Sequence, residues 1–201
     1  MSKLLLVRHG DTVLNSAERL WGETDVELGT VGLRQAERLR DRLAAQRIDV
    51  IYSSNLQRAL ATAKTIASRH QLKVITCPEL REINFGKFEG LTFQEIRQLY
   101  PEIAELWTNW SPQLEFPGGE SVDELNTRVT RFLDRLKKHT PEETILIVAH
   151  SAPLRLIICH LLGIELWRWR QFRLGLASLS IVETYPQGAI VSLLNDTSHL
   201  G

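Results

Sequence analysis

Short apolar runs alternate along the first third of the chain with stretches in which apolar residues recur every three or four positions. The continuous runs predict buried strands at residues 4–7, 49–53 and 73–77. Between them, the spacing of leucine, alanine and isoleucine predicts amphipathic helices over residues 30–45 and 56–67. Because this strand–helix order is typical of an α/β fold, we expect a mainly parallel sheet.

The middle of the chain breaks this alternation. Residues 83–119 contain a helical stretch with Phe93 and Ile96, and they end in the turn Pro117-Gly118-Gly119. We interpret this segment as an insertion that could serve as a lid.

The alternation resumes in the second half of the chain. We predict helices over residues 122–136 and 153–163 and a wholly apolar strand over residues 144–149 between them. Residues 178–185 and 189–194 alternate in polarity and are separated by a short turn, which indicates a hairpin.

The composition is that of an ordinary globular protein. The chain has 201 residues, and its 24 Lys and Arg balance 24 Asp and Glu, so the formal net charge is zero. This length predicts a single domain over residues 1–201. The balance excludes disorder as the main state and argues against a dedicated nucleic-acid-binding protein. Any anion site must therefore be a local concentration of arginine and histidine.

The cysteines and the apolar stretches favour a cytoplasmic protein. Cys77 and Cys159 lie in or beside apolar runs, where a free cysteine behaves as a small hydrophobic residue, and they make no disulfide framework. The apolar run before Arg8 is too short for a signal peptide. The apolar stretch around residues 154–162 is too short to span a membrane, so we expect no membrane partner.

Polar residues follow three predicted strands at positions where ligands bind in open α/β sheets. His9 and His150 each follow an apolar strand, and Arg8 precedes His9. Arg58 lies in the first turn of the helix after the second strand, and Glu82 follows the third strand. Taken singly, each could equally be a surface histidine, a solvated arginine or an ordinary loop carboxylate. Together they indicate a phosphate site, because arginine donates paired hydrogen bonds to phosphate oxygens.

These segments together resemble the histidine phosphatase superfamily, the phosphoglycerate-mutase-like group. Residues 6–15 (LVRHGDTVLN) look like its opening motif, and residues 53–63 (SSNLQRALATA) look like the second. Residues 80–90 (LREINFGKFEG) are similar to the third, and residues 118–121 (GGES) and 150–155 (HSAPLR) complete the order. The resemblance implies a three-layer α/β/α sandwich with a mainly parallel sheet and a small helical lid at about residues 83–119.

The resemblance also implies a catalytic set. His9 would be the nucleophile, and Glu82 would protonate the leaving alcohol. Arg8, Arg58 and His150, each positive or partly positive, would surround the phosphoryl oxygens. The substrate pocket would be completed by Asn15, Thr12, Trp21, Gly22 and Ser151.

The sequence departs from the family pattern at four places, and the first, Asp11 where Glu is common, should be tolerated. Gly29 stands where Ser or Thr usually caps the first helix, so either Gly29 or Thr30 would cap it. Asn55 stands where Asp is usual, and we expect similar capping from it. Ser151 and Ala152 replace a frequent Gly-Gly pair, and Ser151 could still supply a backbone N–H to phosphate.

Other chemistries lack their motifs. The chain has no Cys-x5-Arg loop, no Gly-x-x-x-x-Gly-Lys loop and no Gly-x-Ser-x-Gly turn. Its six histidines show no close metal-ligand spacing. We therefore expect no metal and no cofactor, since the nucleophile and the cations are protein groups.

Three functions remain open: a phosphomonoester hydrolase acting through phosphohistidine, a cofactor-dependent phosphoglycerate mutase, and a non-catalytic adaptor of the same fold. A mutase needs cations for a second anionic group, yet the insertion carries only Lys87 and Arg97 against five glutamates. This charge favours the phosphatase, with a small phosphorylated metabolite as its partner.

The motifs favour phosphoserine or α-ribazole phosphate as candidate substrates. Glu89, or another carboxylate of the insertion, could meet a substrate amino group, although these acidic residues could equally serve solubility. The Trp-containing segment 164–172 is a candidate contact for a homodimer. For Trp107, Trp110, Trp167 and Trp169, packing is favoured over a role in a ligand pocket.

Overall fold

The computed structural model describes residues 2–14, 19–109, 111 and 113–201. Asn15 and Trp110, both named above, lie outside the described residues. The first half of the chain forms β1 (Lys3–Arg8), α1 (Thr30–Leu43), β2 (Val50–Ser53), α2 (Gln57–Ala67) and β3 (Val74–Thr76). The insertion contains α3 (Phe93–Leu99) and α4 (Pro101–Thr108). The second half forms α5 (Val122–Leu136), β4 (Thr144–Ala149), α6 (Ser151–Leu162), β5 (Leu179–Tyr185) and β6 (Gly188–Asp196).

The strands form one six-stranded sheet in the order β3-β2-β4-β1-β5-β6. The pairs β2/β3, β2/β4 and β1/β4 are parallel, whereas β1/β5 and β5/β6 are antiparallel. The prediction of an α/β fold with a mainly parallel sheet is confirmed. Because β1, β2 and β4 run in the same direction, their carboxyl ends meet at one edge of the sheet.

Helices cover both faces of the sheet, which gives the expected three layers. Alternate residues of the central strands enter different cores: Leu4 and Leu6 of β1 pack with α5 and α6, while Leu5 and Val7 pack with α1 and α2. β4 is buried along its whole length. Burial on both sides explains why the sequence shows this strand as an unbroken apolar run.

The starts of the helices agree with the sequence only in part. Gly29, in extended conformation, is the N-terminal cap of α1 and supplies no side-chain bond. The expected cap of α2 by Asn55 is wrong, because its Oδ1 accepts a hydrogen bond from Arg81 Nε at 2.8 Å. Asp25 Oδ1 instead accepts the first amide of α2, that of Gln57, at 2.7 Å. Asp25 lies 32 residues away in sequence, so helix spacing does not reveal this contact.

The insertion packs onto the core through aromatic side chains. Phe85, Phe88, Trp107 and Phe116 form a cluster with ring centroids 5.0 to 6.5 Å apart. Thr92 and Glu95 make reciprocal capping bonds at the start of α3. The insertion is thus held as a packed unit beside the carboxyl edge of the sheet.

The segment after α6 folds back on its own chain. Gly163 ends α6 in left-handed conformation, and a 3₁₀ segment follows at Leu166–Gln171. Ile164, Leu166 and Phe172 pack against the core, and Trp169 is buried. Most of the apolar side chains of 164–172 are therefore covered within the chain, and a partner chain would contact only those that stay exposed.

Cys77 and Cys159 are buried free thiols, as predicted, and burial raises the pKa of each to about 11. Among the described residues, no helix combines the length and apolarity needed to cross a bilayer.

Candidate active site

His9 lies just past β1 with its backbone fixed on both sides. Its N–H donates to Ala149 O at 3.0 Å, and its carbonyl accepts from Ala177 N at 2.9 Å. The ring Nδ1 is 2.7 Å from Gly10 O, and because a carbonyl only accepts, Nδ1 carries the proton. Nε2 is left with its lone pair. Burial, followed by the charges of Arg8 and Arg58, holds the pKa of His9 well below its usual 6.5.

Thr62 connects the loop of the nucleophile to α2. Its Oγ1 accepts the Gly10 N–H at 3.2 Å and donates to the Arg58 carbonyl at 2.8 Å. The peptide that orients His9 is thereby tied to the helix that carries Arg58.

His150 follows β4, and its ring centroid lies 4.9 Å from that of His9. Its Nε2 is 2.9 Å from Ser54 Oγ, which also accepts the Leu56 N–H at 3.2 Å. Since Ser54 accepts from the Leu56 amide, its hydroxyl proton is available to His150 Nε2, which places the ring proton on Nδ1. Nδ1 is buried with no hydrogen-bond partner among the described residues.

Burial, followed by the charge of Arg58, holds the pKa of His150 well below 6.5. The expectation of a positive or partly positive His150 does not agree with this lowered pKa. His150 offers a neutral N–H rather than a charge.

The two predicted arginines are held by backbone carbonyls. Arg8 Nη1 donates to Leu174 O at 2.7 Å, and its buried Nε has no partner among the described residues. Burial lowers the pKa of Arg8 to about 10, which leaves it protonated at neutral pH. Arg58, only 2% exposed, donates to Thr24 O at 2.8 Å and to Gly22 O at 2.6 Å. Neither arginine makes an ion pair within the described chain, so both charges remain available to an anion.

Glu82 rests on the N-terminus of α6. Its Oε1 accepts the N–H groups of Ile83 and Ala152, each at 3.0 Å, and its Oε2 accepts that of Ser151 at 3.0 Å. These contacts orient a buried carboxylate beside the two arginines. The Ser151 amide, which the sequence suggested as a phosphate donor, donates to Glu82 instead.

A cavity of about 290 Å³ brings most of the predicted residues together. Seven of them line it: Arg8, His9, Thr12, Trp21, Arg58, Glu82 and Ser151. His150 is fully buried next to His9. Gly22 does not line the cavity, because its N–H donates to Glu89 Oε1 at 3.0 Å and its carbonyl accepts from Arg58.

The suggested contact of Glu89 with a substrate amino group is wrong in this arrangement. Both Glu89 oxygens accept backbone N–H groups of residues 22–24, at 2.9 to 3.2 Å, and Oε2 also accepts the Thr24 hydroxyl. Glu89 therefore holds the 22–24 loop in place.

Among the other residues that line the cavity, sequence reasoning gave no site role to the polar or aromatic residues Arg19, Phe85, Arg155 and Arg170. Arg155 follows Ser151 by four positions on α6, so helical spacing could have placed both on one face. Arg170 lies in a 3₁₀ segment without helical periodicity, and no local pattern points to it. The favoured packing role of Trp107 and Trp169 is therefore incomplete, since both also line the cavity.

In the part of the chain that the structure describes, no group of three or more His, Cys, Asp or Glu residues is placed to hold a metal ion. The site thus brings together a neutral imidazole, a neutral N–H donor, a carboxylate and several guanidinium groups, among them those of Arg8 and Arg58. This set suits transfer of a phosphoryl group to nitrogen.

Comparison with known proteins agrees with this geometry. The chain is 36% identical to phosphoserine phosphatase 1 of Hydrogenobacter thermophilus, over 100% of this chain and 95% of the relative. The structure of the α-ribazole phosphatase of Shigella flexneri matches with a TM-score of 0.88 and 31% identity, and it covers 96% of each chain. A histidine-to-alanine variant of the phosphoserine phosphatase of Entamoeba histolytica, in complex with phosphoserine, matches with a TM-score of 0.88 and 30% identity over 100% of both chains.

Both phosphatase and mutase names occur among the curated relatives. The named structures and the first of these relatives support a phosphatase, as the sequence predicts. The family model for the histidine phosphatase superfamily (branch 1) matches residues 4–197. The chain therefore belongs to the histidine phosphatase superfamily, and it is an enzyme of the phosphatase class.

Proposed function

We propose that this chain hydrolyses a phosphomonoester of a small metabolite through a phosphohistidine formed on His9. The observation that carries the proposal is the 2.7 Å contact of His9 Nδ1 with Gly10 O. It fixes the tautomer whose Nε2 lone pair is free to attack, in a cavity that Arg8 and Arg58 also line, neither of them in an ion pair with a described residue.

In the first step, His9 Nε2 forms a bond to phosphorus while the ester P–O bond breaks. The departing alkoxide takes a proton from Glu82, which has to be protonated when substrate is bound. Arg8, Arg58 and the Nδ1–H of His150 stabilise the charge on the phosphoryl oxygens.

In the second step, water attacks phosphorus and the N–P bond breaks. Glu82 takes a proton from the water, and His9 recovers its lone pair. Inorganic phosphate then leaves, and the enzyme returns to its starting state without a metal or cofactor.

Phosphoserine and α-ribazole phosphate are the candidate substrates, supported by the names of the relatives described above. The test is phosphate release by the purified chain from these two esters, 3-phosphoglycerate and p-nitrophenyl phosphate. His9→Asn is the matched control. We expect turnover of at least one metabolite and its loss in the variant, and acid-labile, base-stable phosphate on the wild-type protein after a rapid quench.

Two results would overturn the proposal. Equal phosphate release by wild type and His9→Asn would favour a non-catalytic protein. Rapid formation of 2-phosphoglycerate from 3-phosphoglycerate and 2,3-bisphosphoglycerate, without phosphate release, would favour a mutase.

We further propose that residues 1–201 act as one catalytic domain in the cytoplasm, without a nucleic-acid partner, and that the chain forms a homodimer. Trp167, which stays 39% exposed on the segment that otherwise folds inward, is a candidate dimer contact. Light scattering after size-exclusion chromatography tests the oligomeric state, since a monomeric mass at micromolar concentration would contradict the dimer.

A further inference from the structure

The cavity contains more positive charge than one phosphoryl group needs. Besides Arg8 and Arg58, it is lined by Arg19, Arg155 and Arg170. Arg19 is neutralised, since its Nη1 lies 2.9 Å from Glu95 Oε2. Arg155 and Arg170 have no carboxylate partner within the described residues. Two cations beyond the phosphate site are therefore unpaired.

Arg155 is held in the cavity wall by packing rather than by hydrogen bonds. It is half-buried, one helical turn after Ser151 on α6. Its guanidinium carbon lies 5.7 Å from the ring centroid of Trp169, within the range of a cation–π contact. Its buried Nε has no partner among the described residues. The packing thus fixes the plane of the guanidinium and leaves donors unused.

Arg170 approaches the cavity from the 3₁₀ segment after α6. Its Nη1 donates to the Trp107 carbonyl, and its guanidinium carbon lies 5.3 Å from the Trp107 ring centroid. Burial, followed by the charge of Arg155, lowers the pKa of Arg170 to about 10. Arg155 and Arg170 thus line the same cavity, each against an indole ring.

A pair of like charges on a partly desolvated wall is stabilised when an anion binds between them. We infer that Arg155 and Arg170 form a subsite for a carboxylate group on the substrate. A carboxylate fits the planar fork of a guanidinium through two parallel hydrogen bonds. The cavity volume of about 290 Å³ suits a short phosphorylated acid rather than a large substrate. This inference rests on the proposed function, and it specifies the substrate class of that same site.

The test compares substrates that differ only in the carboxylate. Phosphoserine is paired with phosphoethanolamine, and 3-phosphoglycerate is paired with glycerol 3-phosphate. For each pair, the ratio of the two kcat/KM values is measured in one preparation, so that the fraction of folded enzyme cancels. We expect wild type to prefer the carboxylated member at least tenfold in one pair.

Two variants and one control locate the preference. A charge-assisted hydrogen bond contributes enough binding energy that Arg155→Gln and Arg170→Gln should each lower this ratio by about tenfold to a hundredfold. Arg155→Lys should restore part of it. Arg168→Gln is the control, because Arg168 is exposed on the same 3₁₀ segment and pairs with Glu165. Its ratio should equal that of wild type.

Three outcomes would count against the inference. A wild-type ratio near one in both pairs would refute the carboxylate subsite while the phosphatase stands. An equal loss on both members of a pair in Arg155→Gln and Arg170→Gln would assign these residues to the phosphoryl group or the fold. No phosphate release from any ester would overturn the proposed function itself.

Discussion

The two buried histidines should make the stability of this enzyme depend on pH, and substitution of either one should weaken that dependence. His9 and His150 have folded-state pKa values well below 6.5, whereas an unfolded histidine titrates near 6.5. As pH falls below 6.5, the unfolded chain binds protons that the native protein does not bind. The stabilisation is therefore fully present above that pH and is lost on acidification.

The size of the effect follows from this linkage. Protonation lowers the free energy of the unfolded state by about 0.1 kcal/mol per histidine at pH 7.5 and by about 1.4 kcal/mol at pH 5.5. The native state takes up fewer of these protons, because burial holds both folded pKa values well below 6.5. The pair should thus cost at most about 2.7 kcal/mol of unfolding free energy between these two pH values. Most carboxylates stay ionised over this range, which keeps their contribution small.

Urea titrations followed by tryptophan fluorescence measure this loss at pH 7.5, 6.5 and 5.5. Compared with wild type, His9→Asn and His150→Asn should each lose less unfolding free energy between the extremes, by up to about 1.4 kcal/mol, whatever their stability at pH 7.5. His70→Asn is the control, because His70 is far less buried and its pKa is lowered less by burial. If wild type and both active-site variants showed the same loss, the neutral state of these histidines would be refuted.

Three further results are expected. Ser54→Ala should lower kcat about tenfold to a hundredfold, because His150 loses the partner that keeps its proton on Nδ1. Ser54→Thr should recover much of the lost kcat. Initial rates with p-nitrophenyl phosphate test both variants. Glu82→Gln should slow hydrolysis of an alkyl phosphate by about 10²–10⁴-fold. It should affect the first step with p-nitrophenyl phosphate much less, since nitrophenolate leaves without a proton. Burst kinetics separate the two steps, and equal slowing of the burst with both substrates would contradict the acid role of Glu82. EDTA should leave kcat within about twofold of its starting value, because protein groups supply the cations; loss of activity that Mg²⁺ restores would contradict this.

The part of the site proposed to bind phosphate could be located from the sequence, because the sheet topology determines where its residues lie. Residues that follow parallel strands meet at one edge of the sheet, so His9, His150 and Arg58 could be grouped from the predicted order of strands alone. The role of Glu82 came from the resemblance, since a loop carboxylate has no pattern of its own. Its contact with the start of α6 depends on how the chain folds back over 70 residues.

The substrate end of the site could not be predicted in the same way. Sequence reasoning looked for extra cations in the insertion, whereas Arg155 and Arg170 come from α6 and the segment after it. The assignment of the Gly22 amide to substrate overlooked Glu89, which lies 67 residues later and occupies that N–H. Long-range hydrogen bonds of this kind leave no periodic trace in the sequence.

The loop at residues 22–24 is held by hydrogen bonds from two different parts of the chain, and this limits which segments of the enzyme can be replaced. Its amides are held by Glu89 of the insertion, and its carbonyls are held by Arg58 of α2. A side chain at Gly22 would strike the Ile83 carbonyl at 2.1 Å, so the loop has no room to adjust. If the insertion were replaced by one that lacks this carboxylate, the 22–24 loop would lose the contact that holds its amides. Its carbonyls, which accept hydrogen bonds from Arg58, would then no longer be fixed in place. A chimeric enzyme that receives a new insertion should therefore keep a carboxylate at position 89. Without it, we expect the enzyme to bind phosphate more weakly, whichever substrate the new insertion favours.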